Sequence, residues 1–567
     1  MSYQDLVEII FLISYALKNA CSDVTFYAMF GPRMRNMTSF RHLKSVIRLN
    51  ELAEDPLDLT KEGIVTPKRI DMMIAEALGF QLFYAMECVS EITLAALSEL
   101  AEETQAVKKM GDMQAGEIVN FIEGYESEKR PALHTAMRDL FEQRNSSEKA
   151  KEATELAYKE CEKLRTFLSE IEKKGQFTDM IQIGIGGSEL GPKAVYMALE
   201  AFHKPDRRVH FLSNVDPDDG SPIFQQVNLE KTLVVVVSKS GSTLETLTNE
   251  QFAREKFKKA GLNPKNHFLA ITGKGSPMDD PQQYAASFYI WDYIGGRYSV
   301  TSMVGGVILA FALGMDRFLE FLRGASAMDK IALRPDPKSN LPLLSALLGI
   351  WNRNFLALPT TAVIPYSQAL SRFPAHLQQL DMESNGKRID KKGNPVDFDT
   401  GPIIWGEPGT NGQHSFYQSI HQGTTIVPLE FLGFKESQYR DDIVFQGTSC
   451  QEKLLSNLFA QSIALAVGQR NDNPNKFFPG NRPNRILFGK RLDPYAMGAI
   501  LAYYEHKVAF QGFIWNINSF DQEGVQLGKK LALKIIDQFA ALRQNKPIDS
   551  KGFSLGAAYL KHIEKVK

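Results

Sequence analysis

Leu233-Val234-Val235-Val236-Val237-Ser238-Lys239-Ser240-Gly241-Ser242-Thr243-Leu244-Glu245-Thr246 reads as a buried strand that runs out into a hydroxyl-rich turn and then a helix. An unbroken β-branched run is the pattern of a strand covered on both faces, as in a parallel sheet. Gly241 lets the backbone bend close to a bound group. The helix start that follows offers unpaired N–H groups and the positive end of the helix dipole. With the hydroxyls of Ser238, Ser240, Ser242, Thr243 and Thr246 as neutral donors, such a loop suits a compact dianion such as a phosphate monoester. A capped helix start after a core strand explains the same hydroxyls, since Ser and Thr are favoured there in any case.

Around this stretch, strand candidates at 180–185, 209–212 and 267–271 are separated by gaps long enough for a helix each. That alternation predicts a doubly wound parallel sheet. A second run of candidates lies at 361–364, 402–405, 425–428 and 513–517, with helical stretches at 451–467 and 495–506. The expected fold class is therefore α/β, with two doubly wound, mainly parallel-sheet units in succession. Ligands bind outside the carboxyl ends of such strands, so the two units are expected to share one cleft. The first 130 or so residues read as mostly helical, as at 68–100, and 150–175 reads as a Glu/Lys-rich amphipathic helix. From Gly524 a helix with Leu531, Ile535, Phe539 and Leu542 on one face is expected to close the fold, followed by a polar tail. The expected division is a helical N-terminal extension over 1–144, a first α/β domain over 145–325, a second over 326–530, and a C-terminal helix and tail over 531–567.

A length of 567 residues, 44% hydrophobic and 23% charged, is that of a soluble multidomain enzyme. A net charge of -1 supplies no long-range field for nucleic acid or an anionic membrane, so any anion site must be local. Cys21, Cys88, Cys161 and Cys450 lie far apart with no CxxC spacing. This argues against a zinc site or a disulfide framework and for a reducing compartment, and a cytoplasmic location is expected. The apolar segment 6–17 is interrupted by Glu8, too short to span a bilayer and not preceded by basic residues. It reads as a buried helix rather than a signal peptide.

Gly184-Ile185-Gly186-Gly187-Ser188 follows the 180–185 strand, but a dinucleotide site would want GxGxxG and Glu189 stands where the third glycine belongs. Only Asp206 lies near the expected ribose-binding position. Neither GxxxxGK[ST] nor HExxH is present. The chemistry expected is therefore one that side chains run without nucleotide or metal, chiefly proton transfer. Three segments carry suitable groups: Gln378-Gln379-Leu380-Asp381-Met382-Glu383-Ser384-Asn385-Gly386, Gly406-Glu407-Pro408-Gly409-Thr410-Asn411-Gly412-Gln413-His414, and Ser519-Phe520-Asp521-Gln522 running on to Lys529. Taken singly, Asp381 and Glu383 are explained as solvated loop charges, His414 as a helix cap and Lys529 as a wet-face lysine. Ser519 and Gln522 have the spacing of a capping box.

Together these segments resemble the glucose-6-phosphate isomerase family. GIGGSELGP from Gly184, SKSGSTLET from Ser238, GGRYS from Gly295, DMESNGK from Asp381, WGEPGTNGQH from Trp405, YEHK from Tyr504 and INSFDQ-x-GV-x-LGK from Ile517 follow the family order over roughly 180–530. The resemblance implies two sugar isomerase (SIS-type) domains and metal-free interconversion of glucose 6-phosphate and fructose 6-phosphate in glycolysis and gluconeogenesis, without cofactor. It also implies Glu383 as the base, His414 and Lys529 in ring opening, and Arg297 stabilising the intermediate. Ser238, Lys239 (through its backbone), Ser240, Thr243 and Thr246 match the phosphate loop. Gly187, Ser188, Gln379 and Gln522 match further substrate contacts. A homodimer with His414 contributed across subunits is implied as well.

Proton transfer between C2 and C1 suits these roles, because one carboxylate over both carbons serves both steps. A fixed cation meets the enediolate charge, and a remote phosphate grip orients the sugar. Two departures stand out. Leu380 replaces the family's usual glycine, and GGRYS continues as VTSMVGG rather than LWSAIG. The first 120 residues resemble the family only loosely, although Glu128-Lys129-Arg130-Pro131-Ala132-Leu133-His134 matches a family segment. A bifunctional glucose/mannose 6-phosphate isomerase is a second enzyme reading. A non-catalytic sugar-phosphate sensor is disfavoured because all four catalytic groups are present, and an amidotransferase-linked enzyme because Ser2, not Cys, follows Met1.

Overall fold

A computed structural model describes residues 40–142, 147–548 and 551–563; the 6–17 segment and Cys21 lie outside them. The strands of its two larger sheets, in chain order, are β1 (Ile74–Ala77), β2 (Phe80–Phe83), β3 (Asp179–Ile183), β4 (Arg208–Leu212), β5 (Thr232–Ser238), β6 (Phe268–Thr272), β7 (Ala286–Tyr289), β8 (Thr360–Pro365), β9 (Ile403–Trp405), β10 (Leu429–Glu436) and β11 (Asn484–Arg491). The first sheet is wholly parallel, ordered β4-β3-β5-β6-β7. The second is ordered β1-β2-β11-β10-β8-β9, with β9, β8, β10 and β11 parallel. Its far edge is the hairpin β1–β2, joined antiparallel to β11.

The valine run is buried throughout, and its alternate residues serve opposite faces. Val234 and Val236 pack with Ile181, Ile183 and Phe257, the last from helix Leu244–Lys259. Val235 and Val237 face a central core that also receives Val363, Leu432 and Leu487 from the second sheet. Helices covering both faces of a sheet make continuous apolar strands stable. The segment 296–313 is apolar and long enough to cross a membrane, but 94% of it is buried inside the fold. Its helical part, Met303–Leu313, is a core helix.

Helix Pro494–Trp515 is also buried along its length, yet it carries Glu505, His506 and Lys507 in succession. Burying such charges is tolerable only when they are paired. Glu505 accepts from Arg138 at 2.5 Å, and Asp329 pairs with Arg138 at 2.6 Å and with His506 at 2.7 Å. Lys507 donates to Glu430, which also pairs with Arg485 at 2.5 Å; Arg485 reaches Glu87 at 2.6 Å. These contacts lock the helix against β10 and β11 and so fix where the chain emerges after Trp515.

Several elements differ from expectation. Residues 513–515 end this helix rather than starting a strand, because a short apolar run has no period of its own to decide between the two. Asn516, left-handed at φ 54, stops it. The 425–428 strand begins instead at Leu429, after Pro428. Within the supposedly helical 68–100 region, Leu78 and Gly79 both take positive φ and form the hairpin turn of β1–β2. Helix Gln526–Arg543 does not close the core. None of its residues is buried, Phe539 is 43% exposed, and it meets helix Ser554–Ile563, where a polar tail was expected, through Ile535 beside Gly556. An amphipathic face marks a surface to be covered, not what covers it.

Candidate active site

The carboxyl ends of both sheets supply the site. β5 runs into the hydroxyl-rich loop, where Gly241 has φ +66 and helix Leu244–Lys259 begins after Thr243. Thr243 does not cap that helix; its hydroxyl lies 2.9 Å from that of Ser238. The Ser242 N–H and hydroxyl both reach Ser240 Oγ, at 3.3 and 3.0 Å. Thr246 Oγ1 is buried without a partner. Lys239 Nζ donates to the carbonyls of Asp292 and Ile294 at 3.3 and 3.1 Å, and burial lowers its pKa to about 8. Its side chain thereby ties the loop to the segment leading into Gly295-Gly296-Arg297.

The neighbouring β3 ends in the turn Gly186–Ser188. A Cβ on Gly187 would stand 2.2 Å from the carbonyl carbon of Gly296, so the two backbones touch. A Cβ on Gly186 would lie 3.4 Å from Gln379 Nε2, which places this turn against the second unit. Arg297 crosses the same boundary. It is 1% exposed and donates from Nε to Ser384 Oγ at 2.6 Å, and from Nη2 to the carbonyls of Ser519 and Asp521 at 2.7 and 2.9 Å. Nη1 faces Glu383 Oε2 at 3.2 Å and Gln522 Oε1 at 3.5 Å. A guanidinium so enclosed is stable because its five N–H donors meet acceptors.

Glu383 ends a π-helical turn, Gln379–Glu383, that follows helix Phe373–Gln378. Its side chain is 22% exposed. It opens with Gln379, Lys387, Trp405, Asp521 and Gln522 onto a cavity of about 1270 Å³. Asp381, two residues earlier, points the other way into the protein. Burial pushes its pKa up to about 7, against the pull of Lys507, and its Oδ1 has no hydrogen-bond partner.

The structure thus brings together Glu383, Arg297, Gln379 and Gln522, with Gly187 and Ser188 on the adjoining turn. The Ser238–Thr246 loop lies at the end of the strand beside that turn, outside the residues lining the cavity. Neither His414 nor Lys529 is among the residues lining the cavity. His414 ends the turn Asn411–His414 and is exposed, and Lys529 is exposed on helix Gln526–Arg543. The roles of Ser384, Ser519, Asp521 and Lys387 in holding Arg297 and Glu383 were not foreseen. All four stand inside the quoted motifs, which was their only signal.

A model of the family described as phosphoglucose isomerase matches residues 83–555. The chain belongs to the phosphoglucose isomerase family. It is 59% identical over 518 residues to the glucose-6-phosphate isomerase of Protochlamydia amoebophila (strain UWE25), covering 91% of this chain and 96% of that one. It is 54% identical over 489 residues to that of Chlamydia pneumoniae, covering 86% and 93%. The crystal structure of a glucose-6-phosphate isomerase from Chlamydia trachomatis D/UW-3/Cx superposes with a TM-score of 0.89 at 49% identity, over 93% of this chain and 100% of that one. Both departures from the family pattern are absorbed by packing. Leu380 keeps a negative φ and is fully buried in the central core. Val300, Thr301, Ser302 and Met303 are all buried behind Arg297.

Proposed function

We propose that the chain interconverts glucose 6-phosphate and fructose 6-phosphate, opening the ring and passing a proton between C2 and C1 through an enediolate. The observation that carries this reading is the Glu383 carboxylate held 3.2 Å from the buried Arg297 guanidinium at the edge of a large cavity. A carboxylate so oriented is ready to take the C2 proton, and the adjacent cation opposes the charge that develops on the two oxygens. The Ser238–Thr246 loop takes the phosphate through hydroxyls and backbone N–H groups, leaving its binding energy to hold the open sugar over Glu383. Gly187, Ser188, Gln379 and Gln522 contact the sugar.

Ring opening needs a proton delivered to the ring oxygen and another taken from the anomeric hydroxyl, the work of His414 and Lys529. His414 is exposed and does not line the cavity, which supports its acting in a partner's site, within a homodimer. The apolar side chains that helix Gln526–Arg543 leaves exposed, Leu527, Leu533, Ile536 and Phe539, fit the same assembly. Neither metal nor cofactor takes part. Free thiols at Cys88, Cys161 and Cys450 suit a cytoplasmic enzyme of glycolysis and gluconeogenesis.

The test is turnover of fructose 6-phosphate, and separately of mannose 6-phosphate, with and without a chelator, for the wild type and Glu383→Gln. Glucose 6-phosphate is expected to form from fructose 6-phosphate at a rate insensitive to chelator. Glu383→Gln is expected to bind substrate normally but lose proton exchange at C2. Retained exchange in that variant moves the base elsewhere.

A further inference from the structure

We propose that Lys387 is a positioning residue for this isomerisation, a proposal that rests on Glu383 being the base. Its ammonium clamps the main chain of Glu383 to Asp521 and so holds the two motifs of the site in one geometry. Lys387 Nζ donates to the Glu383 carbonyl at 3.0 Å, the Asp521 carbonyl at 3.0 Å and Asp521 Oδ1 at 2.7 Å. An ammonium has three N–H donors, and all three are committed to protein acceptors. Although Lys387 lines the cavity, no proton is left over for a sugar oxygen.

The local chain shows how this contact arises. Glu383 ends its helical turn, so its carbonyl is one of those a helix leaves unpaired at its C-terminus. A cation there satisfies the carbonyl and matches the negative end of the helix. Gly386 makes the return possible: its N–H bonds the Met382 carbonyl at 3.0 Å, and a Cβ on it would lie 2.4 Å from that oxygen. The chain can therefore fold back tightly and bring Lys387 beneath Glu383.

Asp521 is gripped from every side. Its carbonyl accepts from both Lys387 and Arg297, and its Oδ2 accepts from Asn518 Nδ2 at 2.8 Å. Asn518 in turn reaches Asn120 Oδ1 at 2.9 Å. Arg297 therefore takes part of its position from Asp521, and Asp521 is tied to the Glu383 peptide by Lys387. Without this clamp, base and stabilising cation are linked by their own ion pair and by the bond from Arg297 to the neighbouring Ser384. A lysine suits the place because its three donors diverge from one atom, whereas a planar guanidinium does not match that set.

The experiment is steady-state turnover of fructose 6-phosphate by the wild type, Glu383→Gln, Lys387→Met, Lys387→Arg, Asp521→Ala and the double variant Lys387→Met/Asp521→Ala, each checked for native circular dichroism. Misplacement by about an ångström costs on the order of a hundredfold in rate. Lys387→Met is expected to lose roughly 10- to 100-fold in kcat with KM changed less than about threefold, because the phosphate loop lies apart from the clamp. Lys387→Arg is expected to give no rescue, and the double variant to lose less than the product of the singles. Unchanged kcat, a loss confined to KM, or multiplicative losses overturn the clamp. If Lys387→Met does not fold, Asp521→Ala, which removes the side-chain acceptor, decides, and full kcat in that variant overturns it. Turnover retained by Glu383→Gln is a separate result, which removes the reading of Glu383 as base.

Discussion

Replacing Arg297 by lysine keeps the charge and removes the geometry. The guanidinium contacts Ser384 Oγ, Glu383 Oε2, Gln522 Oε1 and the carbonyls of Ser519 and Asp521. A lysine has three donors on a single atom, so at least two of these five acceptors lose the bond that Arg297 supplies. Each buried acceptor left unpaired costs about 1–3 kcal/mol, which sets the expected loss of stability at roughly 2–6 kcal/mol. The catalytic loss is larger than a charge-preserving change would lead one to expect. Glu383 is no longer aligned, and the cation opposite the enediolate is no longer fixed in advance; losing one such preorganised stabiliser costs about 10²–10³ in kcat. The assay is kcat and KM for fructose 6-phosphate, with urea unfolding followed by near-ultraviolet circular dichroism. A kcat within about threefold of wild type, or a loss expressed only in KM, refutes the electrostatic role of Arg297.

Gly187→Ala puts a Cβ 2.2 Å from the Gly296 backbone, where neither turn can yield cheaply. It is expected to push the Arg297 segment away from Gln379 and lower kcat/KM by about a hundredfold; near-wild-type turnover means the two turns do not act together. Asp381 carries a pH dependence whose sign follows from its raised pKa. Between its unfolded value of 3.8 and about 7 the folded chain holds a proton that the unfolded chain has released, so this group costs stability as pH rises through that window. Asp381→Asn is therefore expected to gain on the wild type in unfolding free energy, read from urea titrations, between pH 4 and pH 7, by up to roughly 4 kcal/mol. A difference that does not change with pH refutes the buried neutral acid.

Much of the first sheet was legible because β3, β4, β5 and β6 are short apolar runs bounded by turns, with helix-length gaps between them. β7 and β11 passed unnoticed: Ala286–Tyr289 is short, and the Asn484–Arg491 pattern is broken by Asn484, Gly489 and Lys490. Pairing of the β1–β2 hairpin with β11 joins residues about 400 positions apart, a contact that no local window contains. Glu383 and Arg297 were legible through motifs, but Lys387 and Asp521 were not, because their work is hydrogen bonding between segments distant in the chain.

The amino-acid order by itself determined the parallel α/β class, through the unbroken apolar strands; it pointed to the acid, the cations and the phosphate loop only through its resemblance to the family. Tertiary structure decided the rest. It turned Asp381 inward and Glu383 outward from one turn, enclosed Arg297 among five acceptors, and left His414 and helix Gln526–Arg543 outside the cavity. Side-chain periodicity is a local property that the sequence carries along its length. Which charge is solvated, paired or left facing a neighbour depends on what distant segments place beside it.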